Sequence, residues 1–279
     1  MVSDANYEVV AAIRSIRSHS VASLAVLLWD FLLMMGDEVH CIWTMKGHPI
    51  KWLYFLLRYF PLFAQILHQI VFPDLSGRDT LSPIGCKLWH AYMIILIQVI
   101  TIALELVLAL RVVALFGRHR WVSGLLGCIM AIEILCVLPH AWTCIRYYQY
   151  CILYTLSPVV QIQAAAAVVV QTTLVCMTLC GIVFRDGGFL RTTIAFQIVR
   201  DGTITYFAIM ALICCGFTMI KLHWYPATLF FWAVTVHSIS GTRLILNMAC
   251  LRGEELSQEN ENNIFTTLID VSANFMPEV

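Results

Sequence analysis

The sequence predicts an all-α, polytopic membrane protein: a bundle of seven transmembrane helices. About seven apolar stretches, each roughly 20 to 28 residues long, can cross a hydrocarbon core of about 30 Å. The chain of 279 residues is 60% hydrophobic and only 12% charged, which leaves too little polar surface to solvate a water-soluble globule. Backbone polar groups in lipid must be satisfied within the chain, so spans of this length are helices; a closed barrel would show short alternating segments instead.

The elements follow in order. Residues 1–20 form an N-terminal segment whose acids stand where a secretory signal has its basic region, so the first helix is expected to direct membrane entry. Span one covers residues 21–43, and Gly47 and Pro49 break the turn after it. Span two covers 52–72, and a turn-rich loop, 73–87, leads to span three at 88–116, which stops at Gly117 and the basic residues beyond. Span four covers 121–142, and the aromatic connection 143–157 carries four Tyr in the manner of an interfacial belt. Span five is 158–184. Residues 185–202 alternate charged and apolar side chains and read as a loop with a surface-lying amphipathic piece. Span six is 203–221, span seven 226–250, and the Glu- and Asn-rich tail 251–279 is expected to be disordered. One membrane domain, 21–250, therefore fills the chain.

Net charge +0, with no basic cluster, excludes a nucleic-acid partner. With the N-terminus outside, ten of the seventeen Lys and Arg fall on the inner side and six on the outer, Arg58 within span two being left out. The positive-inside rule then favours an outer N-terminus and an inner tail.

An ionisable residue in a span costs about 2.5 to 3.5 kcal/mol at the helix centre, so each needs a partner or a role. Helical rise places Asp37, Glu38, Arg58, Arg111 and Arg243 at one level, an inner polar layer. Such a layer either pins helices or acts as a switch. Asp30, Gln98, Thr101, Glu105 and His237 fall near mid-membrane, where they form a hydrogen-bonded core, a pocket floor or an ion path. Glu133 and His68 read as packing residues. Cys86 stands before span three, and Cys144 and Cys151 flank the outer loop; a bridge from Cys86 to either would pin that loop. The remaining Cys read as small apolar residues within spans.

The runs LLWDFLLMMGDEVHCIW and KWLYFLLRYFPL resemble the signature, about residues 21–72, of a fungal, mushroom-type family of heptahelical membrane proteins defined by an N-terminal domain of unknown function (DUF 6533). LRVVALFGRHR, IVRDGTITYFAIM and SISGTRLILNM are similar to that family's later blocks. The resemblance implies a heptahelical, receptor-like protein with no established activity, ligand or cofactor. Its pattern falls on Asp30, Asp37, Glu38, Trp43, Arg58, Tyr59, Arg111, Arg200, Asp201, Gly202, Arg243 and Asn247.

The architecture is also similar to that of G-protein-coupled receptors. The acidic-Arg-aromatic triplet is missing, however, since Leu110 and Val112 flank Arg111. The leading expectation is a receptor-like signalling protein of the plasma membrane that senses a small or apolar ligand and engages a cytosolic partner. The alternative is a small transporter or channel using midplane acids. No enzyme is expected, because the His residues scatter without a helical metal-ligand pairing. No cofactor is expected either, and span seven has no Lys for a retinal Schiff base.

Overall fold

The apolar stretches fold as helices in the computed structural model of the protein. It describes residues 2–44, 49–71, 83–116, 119–147, 158–184, 193–221 and 227–274. Within these, side chains are described over 10–44, 50–71, 85–116, 119–137, 165–181, 202–216 and 227–250, together with Pro139, Arg200 and Thr218. The seven helices among the described residues are α1 (Val2–Cys41), α2 (Pro49–Val71), α3 (Pro83–Leu115), α4 (Arg120–Tyr147), α5 (Pro158–Phe184), α6 (Thr193–Lys221) and α7 (Ala227–Asn274). Among the described residues, four segments are long and apolar enough to cross a membrane: Val10–Cys41, Gly85–Leu115, Arg120–Val137 and Ala227–Cys250.

Burial follows the logic of a lipid solvent. Trp29, Leu32, Phe63, Trp121 and Leu135 face outward, while Asp30, Glu38, Arg58, Glu105 and Glu133 are buried. An exterior of large apolar side chains around a polar interior has its free-energy minimum in hydrocarbon, where exposed Leu and Trp cost nothing and ionisable groups must turn inward. The chain is a multi-pass membrane protein.

α1 and α2 run antiparallel, as do α2 and α3. Arg58 and Gln69 of α2 meet Phe31 and Ser20 of α1, and Tyr92 of α3 meets Ala64 of α2. α7 returns alongside α1 in the same direction, with Trp232 bonded to His19 near one end and Arg243 to Asp30 further along. The α1–α7 contact is the most extensive in the bundle, and α7 also packs on α2, α3 and α6. Its centre is apolar: Tyr54, Leu57, Leu96, Ile100, Leu104, Val234, Leu244 and Ile245 form one buried cluster. Gly241 allows the closest approach there, since a Cβ at that position would come within 2.8 Å of the Leu57 side chain.

Three elements exceed the apolar spans by ten residues or more. α1 starts at Val2, so the segment before residue 21 continues the first helix. α6 starts at Thr193, so residues 193–202 of the alternating stretch expected to lie on the surface are its first turns, and residues 185–192 lie outside the described residues. α7 runs to Asn274, so most of the tail expected to be disordered is helical. In each case the polar residues beyond the apolar span include no Pro, and the helix continues past the point where hydropathy falls.

Candidate functional site

Polar contacts concentrate where α1, α2 and α7 meet. Glu38, fully buried, is the hub: its Oε1 accepts hydrogen bonds from Tyr59 Oη at 2.6 Å and from Trp43 Nε1 at 3.1 Å. Its Oε2 lies 2.6 Å from Arg58 Nε. The Nε–H is not aimed at that oxygen, so the attraction is that of two close opposite charges and not of a directed hydrogen bond. Arg58 spends a directed donor elsewhere, from Nη2 to the Phe31 carbonyl at 2.8 Å. Its guanidinium also sits over the Phe31 ring, 4.8 Å from the centroid, and faces Tyr54 at 5.8 Å. The antiparallel packing of α1 and α2 brings these groups to one height.

About two turns away along α1, Arg243 binds Asp30 through Nε at 3.1 Å and Nη2 at 2.6 Å, both to Oδ1. Asp30 is buried, whereas the Arg243 side chain is half exposed, as suits a long cation that keeps one edge toward a more polar medium. Between the two charge pairs lies a small cavity lined by Leu27, Asp30, Phe31, Arg58, Leu62, Ser238 and Thr242. It has room for about one water against its polar walls and none for a drug-sized ligand, which takes roughly 300 Å³ or more.

Further along the α1–α2–α7 seam, Ser23 Oγ donates to Gln65 Oε1 at 3.3 Å, and Gln65 Nε2 donates to Thr235 Oγ1 at 3.0 Å. Trp89 Nε1 of α3 donates to His68 Nε2 at 3.3 Å, so His68 joins two helices beyond the packing role expected of it.

The inner layer expected from sequence is thus divided and altered in membership. Glu38 and Arg58 meet each other. Asp37 is exposed, because adjacent helical residues point about 100° apart and only one of the pair can face α2. Arg243 pairs with Asp30 and not with Asp37 or Glu38, since α7 lies against α1 in a register that matches residue 243 to residue 30. Arg111 of α3 donates through Nη2 to the Leu244 carbonyl of α7.

The expected midplane cluster also divides, because its members sit on different seams. Asp30 belongs to the α1–α7 pair, and His237 bonds to its own helix at the Ala233 carbonyl, 2.8 Å away. Thr101 is buried on α3, and Gln98 is half-buried one turn before it. Glu105 instead faces α4 and α5: Gln171 Nε2 donates to its Oε1 at 3.2 Å, and the Glu133 carboxyl lies within hydrogen-bonding reach. Sequence reading missed this grouping, in which Glu133 counted only as packing. The one available signal was that both acids fall near the middle of their helices.

Cys86 is disulfide-bonded; the side chains of Cys144 and Cys151 lie outside the described residues. A bridge the sequence did not suggest joins Cys41 at the end of α1 to Cys250 of α7, with Cα atoms 5.1 Å apart. Both had read as apolar thiols within spans. Their pairing depends on α7 lying beside α1, a neighbour relation that hydropathy does not encode. Among the described residues, no group of three or more His, Cys, Asp or Glu is arranged to hold a metal ion.

Residues 19–63 match a family of unknown function, DUF6533. The match spans most of α1 and the first part of α2, and it contains Asp30, Glu38, Trp43, Arg58 and Tyr59. The segment that carries the likeness therefore supplies the Glu38 hub. No curated protein and no solved structure matches the chain.

Proposed function

We propose that the chain is a seven-span, receptor-like signalling protein of the fungal heptahelical kind its sequence resembles, set in the plasma membrane with its N-terminus outside. A small or apolar ligand acts on the outer halves of the helices, and a cytosolic partner reads the inner ends. The observation that carries this reading is the pair of interhelical charge contacts, Arg58–Glu38 and Arg243–Asp30, which fasten α1, α2 and α7 at one end.

Ion pairs in apolar surroundings are either made or broken, with few intermediate arrangements, and are suited to hold one of two bundle states. α1 and α7 also share the most extensive contact of the bundle, so those two helices with α2 form the fixed frame. The moving part is then α3 to α6, with the Arg111 contact to α7 at its hinge. The reading assigns no enzymatic activity.

The alternative is a small transporter or channel, which the mid-helix acids Glu105 and Glu133 favour. Accessibility separates the two. With every cysteine outside the two bridges replaced, single cysteines at Leu62 and Thr242 are probed in proteoliposomes with a membrane-impermeant maleimide from each side. The receptor reading expects labelling from one side at most. Reaction of the same position from both sides means a through-path and overturns it.

A further inference from the structure

Glu105, Glu133 and Gln171 come from the middles of α3, α4 and α5, and their relative exposures are 0%, 3% and 1%. Among the described residues, three of their oxygens, Glu105 Oε2, Glu133 Oε2 and Gln171 Oε1, receive no hydrogen bond, and the only donor directed into the group is Gln171 Nε2, which serves Glu105 Oε1. The described side chains that interact with the Glu105 carboxyl are Glu133 and Gln171, and no basic side chain is among them.

Two ionised carboxylates cannot rest side by side in such a place. Each would carry the desolvation cost of a charge in hydrocarbon, and each would repel the other at short range. An acceptor cluster without donors lacks one thing, a hydrogen between its oxygens. With a proton on one carboxyl, its O–H donates to the other, and two of the three orphaned oxygens are joined in a charge-assisted bond. The rest of the molecule offers a contrast: Asp30 and Glu38 lie at comparable burial, yet each has an arginine beside it.

We propose that Glu105 and Glu133 form a proton-binding site in the membrane interior, a carboxyl pair that holds one proton between its two members while Gln171 fixes the position of Glu105. The proton comes from water and returns to water, and no electron transfer is involved. Proton loss would set two negative charges against each other across the α3–α4 contact, so the occupancy of the site is coupled to the packing of α3, α4 and α5. The assignment stands apart from the receptor reading, since a sensor and a carrier could both contain it.

Infrared difference spectroscopy of the full chain in liposomes tests it. The parent at neutral pH should show the carbonyl stretch of a protonated carboxyl, shifted down in heavy water. The single variants Glu105→Gln and Glu133→Gln should each move this band, because each replaces one partner of the shared proton, and the double variant should lose it. Absence of the band in the parent overturns the proposal, as does a band that neither single variant moves. Loss of the parent's band when sodium chloride replaces choline chloride also overturns it, by showing that a metal cation occupies the site. Thermal melts identify variants that fold, and either single variant alone decides the matter if the double variant does not.

Discussion

Arg58 performs three tasks with one side chain: it neutralises Glu38, donates to the Phe31 carbonyl and stacks on two rings. Lysine could take over only the first, because a compact ammonium has neither the planar face nor the fork. Replacing Arg58 with Ala should destabilise the protein by about 3 to 5 kcal/mol, the cost of leaving a buried carboxylate without its cation. Arg58→Lys should fall between the two, and the swap Arg58→Glu with Glu38→Arg should recover part of the loss. Thermal unfolding in detergent measures all of these; an Arg58→Ala protein as stable as the parent would sink the argument. At this scale the sequence was partly legible. Opposite charges at one height on antiparallel neighbours pointed to the Glu38–Arg58 contact. Which of Asp37 and Glu38 faces α2 depends on helix rotation, and two adjacent acids give no clue to that.

Helices were legible where residues stop them and less so where only hydropathy changes. α5 coincides with its apolar span because Pro158 opens it and the charged, Gly-bearing RDGG run follows Phe184. α1, α6 and α7 overran theirs because a loss of apolar side chains marks a change of solvent and not the end of a helix. Lateral packing of apolar faces was not legible. Gly241 illustrates this, since nothing in SISGTRLIL shows that Leu57 of another helix rests against that residue. Enlarging Gly241 to Leu should separate α7 from α2 and lower stability by about 1 to 3 kcal/mol, the usual cost of overpacking a filled core. Adding Leu57→Ala should restore part of it. Equal melting temperatures for Gly241→Leu and the parent would mean that the two helices are not held this closely.

The whole molecule carries cysteine bridges at both ends. Cys86 begins α3, on the side where Ser20 and Gln69 meet, whereas Cys41 and Cys250 lie at the far end of α1. Disulfides persist in oxidising compartments, so in any membrane that borders the cytosol one of the two bridges faces a reducing medium. The bridges therefore do not choose the orientation, and the distribution of Lys and Arg must. An impermeant reagent applied to intact cells should leave an engineered cysteine in the 275–279 tail unlabelled until the membrane is permeabilised; labelling of intact cells would invert the topology.

The Cys41–Cys250 bond, 209 residues apart in sequence, also makes the chain a ring with two free arms. α2 to α6 lie wholly within the ring, while the start of α1 and the end of α7 leave it at a single point. A break in the backbone within the ring opens it without parting the two arms. An engineered protease site at 185–192 puts Cys86, Cys144 and Cys151 in one fragment and Cys250 in the other, so only the Cys41–Cys250 bond can hold the cut halves together. The cleaved protein should migrate as one species without reductant and as two with it, and Cys250→Ser should give two in both cases. Two species from the cleaved parent without reductant would show that the ring is open. A closed ring retains both halves through a nick, so the protein should survive a cut loop that would release part of an unlinked bundle.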